Sequence, residues 1–216
     1  TEKILNTIQK VWSPPPDLTV SEWSDKYRIL SSESSSESGI WRTSRAPYQK
    51  AVMDTINDHK INTIVFMKSA QVGATEILNN IVAYFIDQDP SPILVLQPTL
   101  QMAQAWSKDR LANMIRDTDC LREKVKEPRS KDSSNTVLSK KFPGGNINIV
   151  GSNSAAGLAS RPIRILLCDE VDRYEASAGA EGDPISLATK RTTTFWNRKV
   201  FLTSTPTIKN LSRIET

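Results

Sequence analysis

The sequence predicts an α/β domain: a doubly wound, mainly parallel sheet with helices on both faces. Short continuous runs of Ile, Val and Leu, longer segments of helical periodicity between them, and polar or small-residue stretches closing each run all point to it. Strands buried on both faces read as unbroken apolar runs, and alternating them with helices requires parallel pairing through crossovers.

The first forty residues carry Trp12, the run Pro14-Pro15-Pro16, Trp23 and a Ser- and Glu-rich stretch from Ser31 to Ser38. That stretch is too polar to form a core, so residues 1–38 are expected to be an N-terminal arm and loop, with the folded domain over 39–216. From Ala46 to His59, Ala51, Val52 and Ile56 recur at helical spacing with Pro47 at the first turn. Ile61 to Met67 is a β-branched strand, Ser69 to Ala74 a loop of mostly small residues, and Ile77, Leu78, Ile81, Val82 and Phe85 mark the next helix. The unit repeats with a strand over Pro92 to Gln97 and a helix over Leu100 to Ile115. A basic stretch, Arg122 to Lys141, is expected as an exposed loop leading into a hairpin at Phe142-Pro143-Gly144-Gly145-Asn146. Ile163 to Cys168 and Lys199 to Leu202 supply two further buried strands.

Composition excludes several function classes. A 216-residue chain suits one sizeable core rather than two. No apolar run approaches the roughly 18 residues a membrane span needs, and nothing at the start resembles an export signal, so an intracellular site without membrane contact is expected. Cys120 and Cys168 are the two cysteines, and Cys168 lies in an apolar run as a reduced buried thiol, so a disulfide framework is excluded. With His59 the single histidine, a metal here is a hard cation held by oxygen, with Mg²⁺ the natural candidate. The net charge of +4 is compatible with a nucleic-acid partner without requiring one.

Three segments carry chemistry. Lys68-Ser69-Ala70-Gln71-Val72-Gly73-Ala74-Thr75 lies between a strand and a helix, where loop amides and a helix N-terminus converge on an anion. In the common phosphate loop, lysine directly precedes the hydroxyl residue; here Ala74 holds that place, and Lys68 reaches in from the head of the loop. Thr75 is placed to offer its hydroxyl to Mg²⁺. Asp169 and Glu170 end an apolar strand, at the sheet end where ligands bind; Asp169 is expected on the Mg²⁺ shell and Glu170 as the group polarising the attacking water, the alternative being a cap for the next helix. Ser204 and Thr205 end the following strand, where hydroxyls can sense a γ-phosphate, or form a plain polar turn before Pro206. Tyr48 and Gln49 suit adenine recognition by stacking and amide pairing, or equally a capped helix with Tyr48 packed inward. Arg161, just before the carboxylate strand and at its far end, is a candidate trans-acting finger for a neighbour's γ-phosphate, the alternative being a surface ion pair or DNA contact.

Gly39-Ile40-Trp41-Arg42, Ala46-Pro47-Tyr48-Gln49, the Lys68 loop, Cys168-Asp169-Glu170-Val171-Asp172-Arg173-Tyr174 and Ser204-Thr205-Pro206 resemble, in order and spacing, the large terminase subunit of lambda-like tailed bacteriophages. The resemblance implies a P-loop NTPase of the additional-strand, catalytic-glutamate class, using ATP and Mg²⁺ to drive double-stranded viral DNA into a procapsid. It further implies a homo-oligomeric ring at the portal protein, recruitment through a small terminase subunit, a C-terminal nuclease in the full protein, and a place in the host cytoplasm. Lys68 agrees with that family's variant loop, whereas Gln71 stands where some members carry arginine, leaving a second positive charge to come from elsewhere. The rival readings are a helicase-like DNA-dependent ATPase and a nucleotide-binding assembly module without turnover. Arg122, Lys124, Lys126, Arg129, Lys131, Lys140 and Lys141 are expected either to touch DNA phosphates or to remain solvated.

Overall fold

In the computed structural model, which describes residues 17–35, 37–126, 135–159 and 161–215, the apolar runs become strands of one six-stranded sheet. These are β3 (Thr63–Met67), β4 (Pro92–Gln97), β5 (Ser139–Phe142), β6 (Gly145–Gly151), β7 (Ile165–Asp169) and β8 (Lys199–Ser204), in the spatial order β3-β8-β7-β4-β6-β5. Every neighbouring pair is parallel except the β5–β6 hairpin. Its turn follows the expected chemistry, with Pro143 first and Gly144 at φ 83, a conformation a side chain would strain. Two short strands, β1 (Ile29–Leu30) and β2 (Gly39–Ile40), form a separate antiparallel ribbon.

The period of two along each strand divides the interior into two cores. Ile93 and Val95, Ile165 and Leu167, and Phe201 face one side, against Ile77, Leu78, Ile81 and Phe85 of helix α3 (Ala74–Asp87). That layer also holds α2 (Tyr48–Asp54), α4 (Leu100–Ala105), a π-helical segment Trp106–Leu111, α5 (Ala112–Asp117) and α6 (Asp119–Arg122). Leu94, Leu96, Leu166, Cys168 and Val200 face the other side, covered by Leu158 of α7 (Ala155–Ala159) and Ala188 of α8 (Pro184–Lys190). The doubly wound expectation therefore holds.

Two expectations do not. Within the segment read as arm and loop, Val20–Tyr27 forms helix α1, opened by a capping box between Thr19 and Glu22. Trp23 is fully buried, and its indole N–H donates to Asp87 Oδ2 at 2.8 Å. Two large apolar residues one turn apart, Val20 and Trp23, seat the helix, while its Ser, Asp and Glu residues hid it in the sequence pattern. The basic stretch, for its part, is not all exposed loop: Lys140 is buried within β5, its ammonium donating to the Thr136 carbonyl at 2.6 Å. The first sixteen residues with Trp12 and the proline run, Ser36, Arg129, Lys131 and Ser160 lie outside the described residues. Among the described residues no helix is long and apolar enough to cross a membrane.

Trp23→Ala removes a fully buried indole and a hydrogen-bond donor, so it should destabilise the domain by about 3–5 kcal/mol. Urea denaturation reads this directly. An unchanged midpoint would return α1 to a loosely attached arm.

Candidate functional site

Parallel pairing brings three loops to one end of the sheet. The register sets Met67 opposite Ser204 and Asp169 opposite Thr203, so the residues that follow β3, β8 and β7 emerge side by side. The Lys68 amide donates to the Ser204 carbonyl at 3.1 Å, extending the ladder by one residue. Its ammonium meets Glu170 Oε1 at 2.6 Å and Thr205 Oγ1 at 3.0 Å, and only 7% of the side chain is exposed. A buried ammonium is costly without such compensation.

Glu170 adopts φ 53 and ψ 52, a left-handed conformation for a residue with a side chain. Strain of this kind costs roughly 1–3 kcal/mol and persists where the surroundings impose it. Its carboxylate does not cap the following turn, Val171–Arg173, which makes no side-chain cap bond; it faces Lys68. The helix-capping alternative is thereby removed. Arg173 Nε stands 3.7 Å from Glu170 Oε2.

Asp169 is buried beside it. Oδ2 accepts from Gln97 Nε2 at 3.4 Å, whereas Oδ1 is buried without a hydrogen-bond partner among the described residues. Burial first, then the neighbouring Glu170 charge, pushes its carboxyl up to about 6. An orphaned buried carboxylate oxygen is a group awaiting a cation or a donor.

The phosphate-loop candidate bends through two left-handed residues, Gln71 at φ 64 and Gly73 at φ 77, before α3 begins at Ala74 with Thr75 in its first turn. Ser69, Ala70 and Gln71 are exposed, and Val72, Gly73 and Thr75 are half-buried. Within the chain, Tyr48 and Gln49 contact this loop: the Tyr48 hydroxyl and Gln49 Nε2 both donate to the Val72 carbonyl, at 3.0 and 2.9 Å. The left-handed φ of Gly73 favours glycine there, and a Cβ would lie 2.5 Å from Gln49 Nε2, displacing that side-chain end from its bond to Val72. Gln49 Oε1 remains buried without a partner among the described residues. Ser204 is fully buried, its Oγ accepting from the Asp172 amide at 3.2 Å. Arg161 is exposed and precedes β7, at the strand end opposite Asp169 and Glu170.

Sequence reasoning missed Gln97 and Asp172. Asp172 collects the Thr207 amide at 3.1 Å, the Ile214 amide at 2.9 Å and the Ser212 hydroxyl. Burial opposes its charge, but these bonds, led by Ser212, hold its carboxyl below the usual range. In the sequence it stands within the Cys168 to Tyr174 segment that carries the resemblance, without a role of its own.

A lysine-headed loop after β3, adjacent carboxylates after β7, and β8 inserted between those two strands define a P-loop NTPase of the additional-strand class. The sequence-family profile described as "Phage terminase large subunit gpA, ATPase domain" matches residues 35–216, and the chain belongs to that family. It is 31% identical over 203 residues to the large terminase subunit of Enterobacteria phage P21, covering 93% of this chain and 31% of that protein. It is 28% identical over 210 residues to that of Escherichia phage lambda, covering 96% of this chain and 32% of the relative. The chain thus spans about a third of the length of these relatives. In fold it is similar to the HK97 bacteriophage large terminase, at TM-score 0.67 and 13% identity, over 87% of this chain and 38% of the other. The Thermus phage P74-26 large terminase ATPase domain aligns at TM-score 0.53 and 13% identity, over 76% and 66% of the two chains.

The Asp169 carboxyl keeps its proton to about pH 6 when folded, against 3.8 for its ordinary value. Between those values the folded state binds more protons than the unfolded, so in divalent-free buffer stability falls as pH rises through the window, by on the order of 3 kcal/mol. Asp169→Asn should flatten that part of the curve and raise stability at neutral pH. Parallel curves for parent and variant would remove Asp169 as the cause.

Proposed function

We propose that this ATPase domain is the motor of a DNA-packaging enzyme, coupling ATP hydrolysis to movement of double-stranded viral DNA into a procapsid. The observation that carries the reading is the convergence of Lys68, Glu170 and Thr205 at adjoining strand ends, beside the unpartnered oxygen of Asp169. Amides of Ser69, Ala70, Gln71, Val72, Gly73 and Ala74, at the N-terminus of α3, suit the phosphates. Lys68 reaches the β- and γ-phosphates, and doing so requires it to leave Glu170. The glutamate is then free to accept a proton from the attacking water. Nucleotide arrival and release of the base are, in this reading, one event.

Asp169 Oδ1 and the Thr75 hydroxyl fit a hard cation: one is a buried acceptor without a partner, the other a hydroxyl in the first turn after the loop. Mg²⁺ held there supplies neutralisation of phosphate charge when bound. Tyr48 and Gln49 brace the loop through Val72, and Gln49 Oε1 and the exposed Tyr48 ring remain for an adenine base. Thr205 and Ser204 connect the γ-phosphate position to the segment Asp172 holds. The wider protein would include a nuclease, act as a ring on a portal protein, and be recruited by a small terminase subunit in the host cytoplasm.

Glu170→Gln should bind ATP at least as tightly as the parent, because Lys68 no longer leaves an ion pair. Turnover should fall by roughly 10²- to 10⁴-fold. Lys68→Ala should weaken binding and turnover together. Turnover unchanged in Glu170→Gln would overturn the assignment, and a parent that binds ATP without hydrolysing it at any protein concentration would favour an assembly module.

Arg161, exposed at the opposite strand end, is proposed to serve a neighbour's γ-phosphate in the ring. Mixing Arg161→Ala with Glu170→Gln subunits should restore ATPase activity that neither shows alone. A mixed assembly that stays inactive while parent rings turn over would leave Arg161 outside the catalytic interface.

A further inference from the structure

At the other edge of the sheet, a cavity of about 530 Å³ opens between the π-helical segment, α5 and β5. Among the described residues, five cationic side chains line it, Lys108, Arg116, Arg122, Lys126 and Lys140, and no carboxylate does. Ile115, Val125 and Val137 add apolar surface to its lining. Volumes of this order accommodate organic ligands rather than a lone water cluster. None of the residues lining it belongs to the Lys68 loop, so the two are distinct sites.

The charges are unequally answered. Arg116 pairs with Asp117 and Glu33, and Arg122 with Asp119. Lys108, Lys126 and Lys140 pair with no carboxylate among the described residues. Lys140 is the informative one, because it is buried with a single main-chain carbonyl as partner. Burial draws its ammonium below the ordinary lysine range, and no acidic neighbour among the described residues acts to raise it. A buried cation without a counter-charge is a standing cost that an arriving anion removes. Lys108 and Ser107 enter the cavity from Trp106–Leu111, a π-helical stretch, and such interruptions of α-helix recur at functional sites.

We infer that this cavity is a second anion site that takes phosphate groups, and, resting on the packaging reading, that they belong to the backbone of a DNA strand. Part of the basic stretch thus acts as one wall of a built pocket, completed by Lys108 and Arg116 from outside it. A free polyphosphate shares the chemistry, so the test must separate the two sources.

The experiment uses this chain carrying Lys68→Ala, which weakens the nucleotide loop's own claim on phosphate. Tripolyphosphate is titrated calorimetrically, and a short labelled DNA duplex by anisotropy over a salt series. Two variants are compared, Lys108→Gln with Lys126→Gln on the exposed rim, and Lys140→Met, which replaces a buried ammonium by an apolar chain of similar length. Both should lose tripolyphosphate affinity about tenfold or more. With DNA as the source, the slope of log affinity against log salt should flatten by about 2 for the double variant, one for each lysine. Loss of tripolyphosphate binding with DNA affinity unchanged would support the phosphate site and assign it a free polyphosphate. Parent-like binding of both probes in correctly folded variants would overturn the proposal. ATP binding in the Lys68 parent is measured separately, so failure of the motor reading is distinguished from failure here.

Discussion

The ion pair between Lys68 and Glu170 is the contact on which the rest of the site depends. It joins a loop leaving one strand to a turn leaving another, with Thr205 from the strand between them as third member. Two charges drawn this far out of water stabilise a fold little on balance, since desolvation offsets most of their attraction. What the pair achieves is a defined rest position for a cation and a carboxylate whose separation the proposed chemistry requires. The left-handed backbone at Glu170 belongs to the same arrangement, because strain there is tolerable only while its partners hold it.

Around that pair, supports reach outward in two directions. Tyr48 and Gln49 fix the Val72 carbonyl, so α2 determines where the loop amides point. Asp172 fixes the other side, gathering Thr207, Ser212 and Ile214 beneath the turn that presents Glu170. Ser204, fully buried, bonds to the Asp172 amide and links the two halves. A change at Glu170 therefore has a short path of hydrogen bonds into residues 207–214, the physical form that coupling between chemistry and movement would take.

The two carboxylates proposed to face nucleotide are adjacent in sequence yet occupy different environments. Asp169 is buried, with one oxygen unpartnered and its carboxyl pushed up to about 6. Glu170 is partly exposed and paired with a lysine. Period-two alternation explains the contrast: β7 points successive side chains to opposite faces until the chain leaves the sheet, and the turn at Glu170 redirects the second one. The difference between the two environments is thus set by backbone geometry rather than by residue type.

Much of this was readable in the sequence alone. Strand positions, the hairpin at Pro143 and Gly144, the lysine-headed loop and the Asp169-Glu170 pair follow from local patterns of apolarity, turn chemistry and residue type, which need no knowledge of neighbours. Helix α1 escaped because two apolar residues among serines and acids make a weak periodic signal, and only the pocket that receives Trp23 reveals them as a helix face. Sheet order, the meeting of Lys68 with Glu170 across the chain, the gathering of bonds on Asp172 and the convergence of Lys108 and Arg116 with Lys140 were decided by tertiary structure. Local pattern specifies which residues enter a strand or helix, but not which strand ends become neighbours, and in this protein the proposed chemistry sits between strand ends.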